Sequence, residues 1–530
     1  MKKLICTLFS GLLLTSVWAQ TERVYVVTDR TAYLSGDRVW CSLFCMDQNG
    51  QPSLKSAVAY LELVSAEGTG AEAKIALLQG RGCGEFTLPP QLPTGNYRLM
   101  AYTALEGGDA AQMGSRLLSI YNPFSVARVK DGVVAQESPV NSVLEPETGQ
   151  GIELHVPARI RAEKPFSVAL NGNAADLTLS VFHVDGLEQV PVTTLDAFLK
   201  DFPVPASSAA PWEYDGEVIG GTVSGAPVES IAILSSAGSP DDTYFTRVEE
   251  DGSVRFATGN IYGDREMVCA VPEAGDHVRI RLESPYQHPE GKDLPILCLH
   301  DSQFEALVSR KSALSTLYGA DTLYTFLPRR EDLLLSGVSW ERYHLDDYTR
   351  FNSVQEIVVE ILPSVRLRKG RFEVSVADGS KTTRRFRENV LVMMDGVVIS
   401  DLSLLENMDA MLLEDVELYN EDIAMGGLTY NGCVNFTTKK NYVKAMQFPS
   451  NVRVVDFKGV CYPVAYLGAP VSGTDYRPLL YWNPLMKVAA GESLVIPLTA
   501  PSTAGTFRMI AEGLTADGKP IHEVFDFEIR

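Results

Sequence analysis

The chain has 530 residues, of which 45% are hydrophobic and 21% charged. It is too long for a single core and too apolar for a disordered chain, so about three to five globular domains are expected. Lys and Arg number 46 against 67 Asp and Glu, a formal charge of -21; such a surface repels phosphate backbones and excludes nucleic acid as an expected partner.

In chain order, Lys2 and Lys3 precede an apolar run from Leu4 to Val17. Val17-Trp18-Ala19 then places small residues where a signal peptidase cuts. Residues 1–19 therefore read as a signal peptide, and the apolar run is shorter than the roughly 20 residues needed to span a bilayer. The expected mature chain has no transmembrane segment. Cys6 lies too early to be the acylated cysteine of a lipoprotein. Seven cysteines remain: Cys41, Cys45, Cys83, Cys269, Cys298, Cys433 and Cys461. Their odd number and loose spacing favour buried thiols over a disulfide framework, and an even spacing puts Cys41 and Cys45 on one face of a strand.

Residues 20–125 read as a β-sandwich. Strand-like runs at Val24–Asp47, broken by the Ser35-Gly36-Asp37 turn, precede shorter ones at Val58–Val64, Gly84–Leu88 and Tyr97–Tyr102. T-D-R-x-x-Y-x-x-G-D-x-V-W at Thr28–Trp40, with L-P-T-G-x-Y-x-L-x-A-Y-T at Leu92–Thr103, resembles the second macroglobulin domain of bacterial α2-macroglobulin-like proteins. Gly82-Cys83-Gly84-Glu85 is similar to the start of the macroglobulin thioester motif. The fifth residue is Phe86, however, and a thioester needs a Gln there, so Cys83 is assigned no site.

Residues 145–300 read as a second sandwich. Strands at Gly151–Val156, Pro165–Leu170 and Leu177–Val184 are too few to close it, and the missing partners are expected at His277–Leu282 and Pro295–Leu299. The segment between, about 213–275, becomes an insertion. Its order of strand, small turn, strand, Asp251-Gly252 turn and strand resembles the carboxypeptidase regulatory-like β-sandwich, a non-catalytic module.

From Asp301 the spacing turns helical. Phe304, Leu307, Leu314 and Leu317 share one face before Gly319, and residues 301–344 read as a helical connector. Helices are expected at Val354–Leu362 and Ser403–Glu414. Strands are expected at Val365–Arg368, Phe372–Val376, Val390–Met394, Val416–Tyr419 and Cys433–Thr438, which makes 345–445 an α+β domain. Its wording resembles the plug domain of TonB-dependent outer-membrane receptors, in Asp395-Gly396, Asp415-Val416-Glu417, Asn431-Gly432 and Thr437-Thr438-Lys439. Asp395, Gly396, Asn431, Gly432, Thr437 and Thr438 are read as fold markers, since Asp-Gly and Asn-Gly favour tight turns with positive φ. Only 90 residues follow Lys440, too few for that family's barrel at about 9–11 residues per strand. Residues 446–530 read instead as a C-terminal β-sandwich.

No catalytic signature emerges. His155, His183, His277, His288, His300, His344 and His522 are scattered, without HExxH or a Cys/His cluster, and neither a G-x-S-x-G elbow nor a P-loop is present. The chain is expected not to be an enzyme and to carry no cofactor or metal. Trp40, Trp340 and Trp482 read as core residues before ligand platforms. Arg366, Arg368, Lys369, Arg371, Arg384, Arg385 and Arg387 form a basic stretch, read as a solvated face with a docking surface for an acidic partner as its functional alternative.

The fold class is mainly β: immunoglobulin-like or macroglobulin-like sandwiches plus one plug-like α+β domain. Such a combination without a barrel is similar to a family of cell-envelope proteins found chiefly in Bacteroidetes. The resemblance implies a periplasmic or outer-membrane-associated binding or assembly module with an envelope protein partner, in the setting of TonB-dependent transport. The alternative is a macroglobulin-related, protease-interacting protein lacking a thioester.

Overall fold

The computed structural model describes residues 22–106, 113–123, 133–135, 152–157, 159–185, 187, 190–201, 213–272, 277–299, 307, 309–310, 324–329, 335, 338–376, 385–425, 428–440, 448, 451–468 and 473–530. The expected signal peptide, Phe304, Leu314, Leu317, Gly319, His300 and Arg384 lie outside them. Among the described residues the molecule is mainly β, built as several sandwiches, and no helix is long and apolar enough to cross a membrane.

The first sandwich faces Glu22–Thr28, Arg38–Asp47 and Arg81–Thr87 against a sheet in the order Ala32–Leu34, Gly114–Tyr121, Gly95–Tyr102, Val58–Ser65, Gly68–Ala76 and Val460–Cys461. Alternation sends Val24, Val26, Val39, Cys41, Leu43 and Cys45 into the space between the sheets, against Leu61, Leu63, Leu99 and Ile120. Tyr25, Val27, Trp40 and Phe44 leave by the opposite face, and there they meet Phe182, Trp482 and Leu514. Tyr60, Met100 and Tyr102 on the other sheet similarly pack outward against Tyr262 and Val460. Both outer faces are covered, so these strands are apolar nearly throughout. The quoted motif is structural: Tyr33 Oη donates to Asp29 Oδ1 at 2.7 Å, Trp40 N donates to the same oxygen at 3.0 Å, and Asp37 Oδ2 accepts from Leu34 N and from Arg30.

The second sandwich draws on two distant stretches. Ile152–His155 and Pro165–Gly172 join Ser493–Thr499 in one sheet. The other runs Arg159–Ile160, Pro520–Ile529, Gly505–Thr515, Ala175–His183 and Leu479–Val488. Ala175 thus pairs with both Thr515 and Val488, and Leu177, Leu179 and Val181 bury against Met509, Ala511 and Phe527. This corrects the expected partners. Arg279–Leu282 pairs with Glu217–Ser224 inside the insertion, and Leu297–Leu299 pairs in parallel with Val133–Ala135. The stretches read as separate sandwiches at 145–300 and 446–530 supply the two halves of one. Local periodicity marks a strand and its buried face, but not which of several apolar strands lies beside it.

The insertion is itself a sandwich, with Ser253–Gly259, Glu217–Ser224 and Arg279–Leu282 in one sheet. Ser239–Arg247, Ile231–Ser236, Arg265–Ala270 and Val452–Phe457 form the other, whose last strand arrives from beyond the α+β unit. The α+β unit has the sheet order Trp340–His344, Leu413–Tyr419, Cys433–Thr438, Leu391–Met394 and Val397–Val398, with a separate sheet of Val365–Arg368, Arg371–Val376 and Arg385–Arg387. It begins at Trp340, so the connector read at 301–344 gives up its last five residues to a strand. Helix Val354–Glu360 opens with a Ser353–Glu356 capping box. The helix expected at 403–414 is only Ser403–Glu406, followed by a 3-10 turn at Ala410–Leu412. The helix ends at the Asn407 cap, and Asp409 starts the 3-10 turn by accepting the Met411 N–H with its side chain.

Candidate functional site

The six motif residues of the α+β unit hold its sheet together. Asp395 and Gly396 turn the chain between Leu391–Met394 and Val397–Val398 with φ of 48° and 81°. The buried Asp395 carboxylate accepts from Thr438 N and Thr438 Oγ1, both at 2.7 Å, and Gly396 N donates to Asn435 Oδ1 at 3.0 Å. Gly238 N, on the insertion sandwich, donates to Asp395 O at 2.6 Å. A Cβ on Gly396 would lie 2.7 Å from the backbone of Ser239, so the turn also docks the unit. Asn431 and Gly432 sit at the other end of the strand Cys433–Thr438, where Leu391 N donates to Gly432 O. Thr437 pairs with Asp415 across the sheet. Asn435, which sequence reasoning missed, joins this set.

On the same sheet Asp415 accepts from Arg342 at 2.6 Å and lies 2.8 Å from His344 Nδ1. Burial pushes the Asp415 carboxyl up, but hydrogen bonds from Arg342 and His344 outweigh it and hold the group below its ordinary value, while His344 is raised by the same contact. Trp40 and Trp482 are buried, as expected, whereas Trp340 is 52% exposed and stacks on Tyr419. Arg366, Arg368, Lys369, Arg371 and Arg385 are exposed on the three-stranded sheet. Arg366 caps the Phe386 ring at 3.6 Å, and Arg387 pairs with Asp422.

Cys83 lies buried in mid-strand, and burial pushes its thiol up to about 12. Of the seven cysteines five are buried, and Cys41 and Cys45 share one core.

A polar constellation that sequence reasoning missed lies on the first sandwich. Glu62 and Glu72 stand directly opposite each other in the hairpin of Val58–Ser65 and Gly68–Ala76. The irregular segment 284–296 crosses them and brings in His288, whose Nδ1 is 3.2 Å from Glu62 and 3.6 Å from Glu72. Glu72 and His288 line a groove of about 1170 Å³ between the hairpin turn, Pro93–Tyr97 and residues 288–296, with Glu62 buried behind them. Only the Glu pair left a trace in the sequence, as acids at facing positions of a hairpin. His288 is 226 positions from Glu62 and had no local signal.

Residues 23–115 match the MG2 domain family. Among solved structures the chain is similar to trypsin-activated α2-macroglobulin from Escherichia coli, at 9% identity and TM-score 0.24, covering 97% of this chain and 42% of that one. It is similar to Salmonella α2-macroglobulin reacted with methylamine, at 10% identity and TM-score 0.25, covering 96% and 39%. An adhesin from Yersinia pseudotuberculosis is matched at 12% identity and TM-score 0.14, covering 49% and 57%. The chain spans about two fifths of the length of these α2-macroglobulins. No curated protein matches it.

Proposed function

We propose that this chain, built around an MG2 domain, is a non-enzymatic exported envelope protein that acts as a binding or assembly module. In this reading the insertion is a regulatory-like sandwich and the α+β unit a plug-like domain. The plug-like domain docks an acidic protein partner in the periplasm or at the outer membrane, in the setting of TonB-dependent transport. The observation that carries the reading is charge segregation. In a protein of net charge -21, Arg366, Arg368, Lys369, Arg371 and Arg385 are exposed together on one small sheet, which pairs with no further strand among the described residues. Complementary charge of this kind sets association rate and partner choice more than raw affinity.

The test is affinity purification of the full chain from crosslinked envelopes, beside the variant Arg366→Glu/Arg368→Glu/Lys369→Glu. These side chains are exposed, so the variant should fold. Selective loss of one reproducible partner, at least tenfold by quantitative mass spectrometry, is expected; an unchanged partner set refutes the reading. The MG2 match favours a second reading, a macroglobulin-related protein that interacts with proteases without a thioester. It predicts limited cleavage with the protease retained, and simple degradation refutes it.

A further inference from the structure

We infer that Glu62, Glu72 and His288 form a binding site for a divalent transition-metal ion of the zinc class, which fastens segment 284–296 to the MG2 hairpin. Two carboxylates directly opposite on one face of an antiparallel pair repel, and Glu62 is fully buried. A cation between them would relieve both the repulsion and the burial of charge. The buried carboxylate is also oriented. Glu62 Oε1 is engaged by Tyr102 Oη and by the backbone N–H groups of Gln287 and His288 at 3.0 Å each. This leaves Oε2, which accepts from Thr69 Oγ1 at 3.2 Å, facing the other two side chains. Such outer partners are what fix a metal ligand's geometry.

The distances fit coordination better than ion pairing. Charge-assisted N–H···O bonds measure about 2.7–2.9 Å, shorter than either separation from His288 Nδ1. Ligands at about 2.0–2.1 Å from a tetrahedral zinc lie about 3.3–3.4 Å from one another. The observed 3.2 and 3.6 Å straddle that edge, and all three donor atoms fall within 4.8 Å of one another. His288 also holds a left-handed backbone, φ 49°, an unfavourable conformation for a residue with a Cβ. One imidazole and two carboxylates suit zinc, whereas Mg2+ and Ca2+ prefer all-oxygen shells. Three protein ligands leave a fourth position for water.

The test titrates chelator-stripped full chain with Zn2+ alone by equilibrium dialysis, and with Co2+ followed by visible absorption. One saturable equivalent and a tetrahedral Co2+ band are expected. His288→Ala and Glu72→Gln should each lower affinity at least about 100-fold and abolish the band. His155→Ala, at the exposed Glu153–His155 pair, should change neither. Glu72 and His288 are 30% and 56% exposed, so their variants should melt like wild type in chelator, and Zn2+ should raise the midpoint of wild type alone. Absence of a saturable equivalent, binding that survives both variants, or preference for Ca2+ over Zn2+ overturns the site.

Discussion

Glu512 and Glu213 are both buried glutamates whose surroundings drive them in opposite directions. Burial pushes Glu512 up, but Arg116 at 3.2 Å and His522 at 3.4 Å outweigh it and hold the carboxyl at about 2. Among the described residues Glu213 has no such cation in contact. Burial raises it to about 7 against hydrogen bonds from Val218 N and Tyr60 Oη, and its Oε2 is buried without a partner. The linkage signs differ accordingly. The lowered Glu512 adds stability that is complete above its unfolded value of 4.5 and is lost as pH falls toward 2. The raised Glu213 adds stability that is complete below 4.5 and is lost as pH rises through 7. Thermal melts of Glu213→Gln should therefore lack the decline that wild type shows between pH 4.5 and 7, worth on the order of a few kcal/mol, while keeping the acid limb. An unchanged neutral limb refutes the assignment. Single residues were legible in the sequence where local geometry decides their role, as at Asp395-Gly396. Glu213 was not, since its environment comes from strands remote in the chain.

At the level of elements, the strands of the α+β unit were readable because each is short, apolar and bounded by turn residues. The second helix was overestimated because periodicity ignores capping: Asn407 closes the helix, and Asp409 caps a separate 3-10 turn. Gly396 is where this unit meets the insertion sandwich, and it combines positive φ with a backbone approach that leaves no room for a Cβ. Gly396→Ala should therefore loosen the contact between Asp395 O and Gly238 N and cost at least about 1 kcal/mol. Hydrogen exchange should report faster exchange at Gly238 and along Val397–Val398, with the first sandwich unchanged. Equal protection in both regions refutes a docking role for the turn.

For the whole molecule, the sandwich composition was legible and the strand partnership was not. The decisive pairing joins Ala175–His183 to Leu479–Val488 and Gly505–Thr515, across about 300 residues holding two other units. Residues 446–530 expressed alone should lack a cooperative melt, because the sheet partners at 152–183 are missing. A stable folded fragment, seen as dispersed amide resonances, contradicts this pairing. The same split governs the order of synthesis. The strands at 152–183 leave the ribosome early and wait without their partners Leu479–Val488, Ser493–Thr499 and Gly505–Thr515. Meanwhile the MG2 face carrying Tyr25, Trp40 and Phe44 also lacks its cover. A stall before residue 479, or loss of residues 479–530, would thus harm the first two sandwiches together, exposing two aggregation-prone surfaces at once. Such products should depend on chaperones far more than their missing length suggests.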